Sequence, residues 1–187
     1  MNQDVHLEEV RWHGRGGQGA VLGASILGSA AALYEGKYAV SFPSFGAERR
    51  GAPVQAFTRI ADRVIRSRSQ IYHPTRIIVL DDTLLAVVKV TEGAQTGASV
   101  LINTRKSVSE LGIPDYLNVI ALDALAIARD IIGVAIVNTT MLGALVGATG
   151  IVSLASLKQA IDEALPEKVA RLNIAAAEAA CKKVKKA

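Results

Sequence analysis

The stretch Val5-His-Leu-Glu-Glu-Val-Arg-Trp-His-Gly-Arg-Gly-Gly-Gln-Gly-Ala20 decides the fold. Val5 to Trp12 reads as a weakly patterned strand that runs into the glycine cluster Gly14 to Gly19. Ala20 to Tyr34 carries small and aliphatic residues throughout, which predicts a buried helix ended near Gly36. A strand, a glycine turn and a helix in that order open an α/β layered sheet.

Outward from that unit, Tyr38 to Phe42 reads as a second strand and Pro43 to Pro53 as an irregular loop. Val54 to Ile60 and Val64 to Ile71 alternate apolar and polar around Ala61-Asp62-Arg63, the pattern of an antiparallel hairpin. Arg76 to Leu80, Ser99 to Asn103 and Asn118 to Leu122 are short apolar runs suited to central strands. Thr83 to Val90 and Lys106 to Leu111, between them, read as helical or turn-like. Ile131 to Val137 reads as a buried strand, with Asn138 or Thr139 capping a short helix that Gly147 or Gly150 ends. Ser153 to Leu165 and Glu167 to Val184 complete a helical last third. In the final helix Val169, Leu172, Ala176, Ala180 and Val184 fall at helical spacing and mark its expected apolar face. The expectation is one α/β domain over residues 1–187, a layered αβα sheet, largely parallel with an antiparallel hairpin.

Composition bounds the chemistry. Half of the 187 residues are hydrophobic and 20% are charged, enough for a core without disulfides. The single cysteine, Cys181, excludes an internal disulfide framework, a four-thiolate zinc site and a self-contained iron–sulfur cluster. Net charge is +4, and Lys182, Lys183, Lys185 and Lys186 at the end of the chain account for all of it. The remainder is neutral, so nucleic-acid binding is not expected: Arg59, Arg63, Arg66 and Arg68 come without a reader motif or stacking aromatics. Residues 131–157 carry no charge, long enough for a membrane span and with Gly143 and Gly147 at the spacing of packed membrane helices. Asn138-Thr-Thr140, Gly133 and Gly150 interrupt it, and a strand followed by a helix uses each interruption. No membrane segment is therefore expected. The first ten residues lack a basic region followed by an apolar one, so the expected compartment is the cytoplasm.

Three constellations carry candidate chemistry. Gly14-Arg-Gly-Gly-Gln-Gly19 fits G-x-G-x-x-G after a strand and before a helix, where backbone amides approach phosphate oxygens. A tight turn alone is the other reading. Gly36 to Phe42 holds no carboxylate for a ribose, so NAD is not indicated, and no Gly-Lys-Ser/Thr follows for a triphosphate. The second constellation is Ser41-Phe-Pro-Ser-Phe-Gly-Ala-Glu-Arg-Arg-Gly-Ala-Pro53, where adjacent Arg49 and Arg50 offer fork-shaped anion binding or remain solvated. The third is Asn138-Thr-Thr140, a ligand position or a helix cap. Asp81-Asp82 precedes Thr83 and reads as a cap rather than an acid–base pair. His6, His13 and His73 lack metal-ligand spacing, and no serine has a nucleophile-elbow context. No catalytic residue or metal ligand is assigned.

Arg11-Trp-His-Gly-Arg-Gly-Gly-Gln-Gly-Ala20, Phe42-Pro-Ser-Phe-Gly-Ala-Glu-Arg-Arg-Gly-Ala-Pro53 and Arg66-Ser-Arg-Ser-Gln-Ile-Tyr-His-Pro74 occur in this order. The combination resembles the gamma subunit of 2-oxoacid:ferredoxin oxidoreductases, in the pyruvate and 2-oxoisovalerate branch. The resemblance implies a multi-subunit enzyme that converts a 2-oxoacid and coenzyme A to acyl-CoA and carbon dioxide and passes electrons to ferredoxin. It implies alpha, beta and delta-type partner subunits that carry the thiamine pyrophosphate and iron–sulfur clusters. The corresponding domain of fused relatives contributes to the coenzyme A site. Carried over, Gly14, Arg15, Gly16, Gly17, Gln18 and Gly19 would receive coenzyme A phosphates, with Arg49, Arg50 and Asn138 as further contacts. Two rivals remain, a subunit of an indolepyruvate or 2-oxoglutarate oxidoreductase and a stand-alone phosphate- or nucleotide-binding module.

Overall fold

The first strand, β1 (Leu7–Arg15), is weakly patterned because both of its faces are covered: every residue from Val10 to Gly14 is buried. This computed structural model describes residues 7–44 and 50–185 of the chain. After β1 come α1 (Ala20–Tyr34), β2 (Tyr38–Pro43), β3 (Pro53–Ala61), β4 (Arg76–Val79), β5 (Ser99–Asn103) and β6 (Asn118–Leu122). The helices α2 (Ala124–Ile131), α3 (Asn138–Thr149), α4 (Leu154–Ala164) and α5 (Glu167–Lys185) follow. The strands form one mixed sheet in the order β2-β3-β1-β4-β5-β6. β1, β4, β5 and β6 run parallel to one another, and β3 runs antiparallel to both β1 and β2.

The layered, largely parallel sheet is as expected, and its two faces are covered unequally. All five α-helices among the described residues bury side chains in one core, with Val10, Trp12, Ile78, Leu80 and Leu101 of the sheet and the segment just after β4. Ile77, Val79, Val100 and Ile102 point the other way, under short 3-10 turns and connecting segments through Leu84, Val90, Leu111 and Leu117. α1 lies close on β1: a Cβ at Gly23 would fall 2.8 Å from Trp12 Cζ3. Trp12 Nε1 donates to Thr58 Oγ1 at 3.3 Å, and that hydroxyl donates to the Ala24 carbonyl at 3.0 Å.

The expected hairpin is not formed. β3 is a strand, but Val64 to Ile71 is not, and the antiparallel partner of β3 on its outer side is β2. Two buried arginines take the carbonyls that a strand would have paired. Arg59 donates to Ser69 O at 2.7 Å and Gln70 O at 3.3 Å, and its Nε meets Glu9 Oε1 at 2.7 Å. Arg11 donates to Ile71 O at 3.3 Å, and to Val90 O and Glu92 O at 2.8 and 2.7 Å.

Residues 131–137 are not a strand either. α2 runs to Ile131, Gly133 turns the chain at a positive φ of 85°, and irregular backbone leads into α3. Gly150 closes α3 in the left-handed conformation, as expected, and Ser153 caps α4 by accepting from Ser156 N at 3.0 Å. The buried face of α5 is displaced from the expected one. Ala170, Asn173, Ala176, Ala177, Ala180 and Cys181 are buried, whereas Val169 and Leu172 are exposed. Among the described residues no helix is long and apolar enough to cross a membrane.

Candidate functional site

The carboxyl ends of β1, β4, β5 and β6 come together at one edge of the sheet, where open α/β sheets bind ligands. β1 extends through Gly14 and Arg15, so the turn proper begins at Gly16. Gly14 is a packing position, since a Cβ there would sit 3.2 Å from Leu80 Cδ1 and 3.4 Å from Ala20 Cβ. Gly16 joins the glycine turn to the second loop: its amide donates to Ala52 O at 2.9 Å, and Gly51 N donates to Gly16 O at 3.1 Å. Arg50 is exposed and bridges Gly16 in a parallel sense, which brings residues 50–52 beside the glycine turn. Arg49 lies outside the described residues.

Gly17 and Gly19 have φ of 93° and 77°, the left-handed region that side chains strain to enter. Gln18 closes the turn from within. Its amide donates to Arg15 O at 2.9 Å, and its Oε1 accepts from Arg15 N at 2.8 Å. Gly19 is the N-cap of α1, and no side chain caps that end of the helix. The first amides of α1 thus face a cleft of about 590 Å³ walled by Arg15, Gly17, Gly19, Leu22, Pro43 and Val54. A Cβ at Gly17 would meet nothing within 4 Å, so the loop's outer side is open. A turn of this shape at a helix N-terminus suits a phosphate.

Asn138, the third constellation, is brought to this loop from the start of α3. Its Nδ2 donates to Gly19 O at 3.2 Å, and a Cβ at Gly19 would fall 2.5 Å from that nitrogen. Asn138 is 2% exposed and its Oδ1 accepts from Thr139 N at 2.9 Å, so both ends of the amide are used in holding the loop.

The residue that the sequence reading undervalued is Asp81, just after β4. It caps the 3-10 turn Asp82–Ala86 through Thr83 N at 3.0 Å, as expected. It also binds Arg15 Nε and Gln18 Nε2, each at 3.0 Å on Oδ2. Burial pushes this carboxyl up; hydrogen bonds from the Thr83 hydroxyl, the Gln18 amide and the Thr83 backbone, and then the Arg15 charge, outweigh it and hold it below the usual range. The only signal in the sequence was its place at a strand end, since Arg15 is 66 residues away.

A second cleft, of about 480 Å³, opens on the far side of Gln18 and Asp81, with Asn103, Thr104, Lys106 and Asp123 on its walls. Among the described residues no group of three His, Cys, Asp or Glu is placed to hold a metal ion. Cys181 is a buried residue of α5 whose backbone lies against Gly147 of α3.

Residues 9–183 match the family model described as pyruvate ferredoxin/flavodoxin oxidoreductase. The chain is 52% identical over 172 residues to a pyruvate synthase subunit PorC of Methanocaldococcus jannaschii, covering 92% of this chain and 94% of that one. It is 49% identical over 180 residues to a pyruvate/ketoisovalerate oxidoreductases common subunit gamma of Thermococcus kodakarensis, covering 94% and 96%. The crystal structure of a pyruvate oxidoreductase subunit PORC of Thermotoga maritima superposes with a TM-score of 0.81 at 38% identity, covering 94% and 96%.

Proposed function

The chain belongs to the pyruvate ferredoxin/flavodoxin oxidoreductase family, and from that premise we propose that its glycine turn forms part of a coenzyme A site shared with companion subunits. It is a gamma-type subunit of a 2-oxoacid oxidoreductase that acts on pyruvate or 2-oxoisovalerate. Its partners are the alpha, beta and delta-type subunits, which hold the thiamine pyrophosphate and the iron–sulfur clusters and pass electrons to ferredoxin.

One observation carries the coenzyme A reading. Gly17 and Gly19 turn the chain so that the side-chain-free N-terminus of α1 opens on a cleft with Arg15 in its wall. These residues fit a phosphate: the outer side of Gly17 is open space that a side chain would enter. Coenzyme A supplies the thiol that takes the acyl group. The chain's own part is positional. The amides of α1 and the arginines beside them, Arg15 and Arg50, hold the phosphates, and so lower the orientation cost of acyl transfer.

The test is Gly17→Ala in the reconstituted complex. An alanine at this φ is strained by about 1–2 kcal/mol, and its methyl occupies the phosphate's place. Assembly and 2-oxoacid oxidation without coenzyme A should stay as in the wild type, while coenzyme A affinity and acyl-CoA formation fall. A decline of both half-reactions together would assign the turn to subunit docking. No change in either would leave it a tight turn only.

A further inference from the structure

We propose that Asp81 is a positioning residue of this site: one carboxylate that sets both Arg15 and Gln18, and through them the shape of the glycine turn. The proposal rests on the coenzyme A reading above and adds to it a residue on a different strand.

The four acceptor contacts of Asp81 form a closed arrangement. Oδ2 receives Arg15 Nε and Gln18 Nε2, both at 3.0 Å. Oδ1 receives Thr83 N at 3.0 Å and the Thr83 hydroxyl at 2.5 Å. That hydroxyl accepts from Arg15 Nη2 at 2.7 Å, so Arg15, Thr83 and Asp81 make a ring. Arg15 Nη1 donates to Gly51 O at 3.1 Å and ties the ring to the basic loop. A guanidinium has five N–H groups, and three are spent here, which leaves one on each terminal nitrogen for an anion. Gln18 is fixed in the same way. Its Nε2 must face Asp81, which leaves Oε1 to accept from Arg15 N at 2.8 Å and close the turn. Only a group that accepts on both sides satisfies this arrangement, and an ionised carboxylate is one. The low carboxyl pKa agrees, because four donors face it.

Asp81→Asn separates this role from helix capping. Asparagine caps about as well as aspartate, so the turn Asp82–Ala86 keeps its N-cap. Its Nδ2 must then face the donors of Arg15 and Gln18. In the opposite orientation it faces Thr83 N and the cap is lost. Donor meets donor on one side in either case.

The experiment uses the reconstituted complex with Asp81→Asn, Thr83→Val and Gly17→Ala subunits. Coenzyme A affinity is measured by calorimetry without 2-oxoacid, alongside steady-state kinetics. Asp81→Asn should weaken coenzyme A binding and raise its KM by about tenfold, the worth of one charge-assisted hydrogen bond. The turnover number, 2-oxoacid oxidation without coenzyme A and the thermal midpoint of the subunit should stay near wild type. Thr83→Val, which breaks the ring and leaves the carboxylate, should lose affinity by a smaller factor. Arg15→Met placed on Asp81→Asn should add less than it does alone. Unchanged coenzyme A affinity in Asp81→Asn, with Gly17→Ala weakened, would overturn the proposal and leave the site reading standing. No change in any variant would overturn both. If Asp81→Asn does not assemble, Thr83→Val decides: wild-type affinity there sinks the idea.

Discussion

His13 shows what a single position in β1 costs and controls. It is 1% exposed, one residue before the glycine turn's strand ends in Gly14 and Arg15, and it accepts from Arg11 Nε at 3.1 Å on Nε2. Burial first, then the Arg11 charge, push its imidazole down to about 3, against a hydrogen bond with the Val90 backbone. The unfolded chain takes a proton near pH 6.5 that the folded chain refuses. The neutral imidazole's contribution is therefore complete above about pH 6.5 and is lost as pH falls toward about 3. The slope is about 1.4 kcal/mol per pH unit in that window, or roughly 2 kcal/mol between pH 6.5 and pH 5. Denaturant unfolding at pH 7 and pH 5 should show His13→Gln losing less over the interval than wild type, whatever its stability at pH 7. Equal losses would contradict a buried neutral histidine. Which face of β1 turns inward was not legible, because a strand covered on both sides loses its alternation. Asp81 was half legible for a related reason. Its cap is local and was expected, but its two other partners depend on β1 and β4 being neighbours, which spacing along the chain does not reveal.

Between elements, α3 approaches α5 closely. A Cβ at Gly143 would run into the Ala177 backbone, and one at Gly147 would lie 2.6 Å from the Cys181 carbonyl oxygen. The two glycines let the helix backbones meet where membrane helices use the same spacing. Here they close the core of a sheet protein. Gly143→Ala should therefore destabilise the subunit by about 1–3 kcal/mol, despite alanine's better helix propensity, because neither backbone can yield. That is a fall of several degrees in thermal midpoint for a chain of this size. A midpoint at or above wild type would mean that the helices can separate at no cost. The spacing of Gly143 and Gly147 was plain in the sequence. The buried face of α5 was not, because alanines lie on several sides of this helix and hydrophobic size alone favoured Val169 and Leu172. The face actually used is small, with Asn173 accepting from Thr139 Oγ1 at 2.6 Å and donating to Val169 O at 2.8 Å. Val64 to Ile71 misled in the opposite way: its alternation is real, but Arg59 and Arg11 compete for its carbonyls from other strands.

Across the whole molecule, one sheet joins two unequal cores, and both depend on the same strands β4 and β5. Neither core can open without stripping a face of that sheet, so the subunit should unfold in a single transition by calorimetry and by circular dichroism. The glycine turn, Arg50 and Asn138, far apart in sequence, meet at the edge where the parallel strands end. The role we propose for this edge is binding. The Arg15 and Asp81 charges are already paired, and Cys181 is buried. The last expectation follows for the chain by itself. The purified subunit should fold and stay colourless. With pyruvate, coenzyme A and an artificial electron acceptor it should turn nothing over. Adding the partner subunits should produce acyl-CoA, and leaving this subunit out should spare 2-oxoacid oxidation more than acyl transfer. Turnover by the rigorously purified chain, proportional to its concentration and lost in Gly17→Ala, would place chemistry on these residues and overturn a purely positional role.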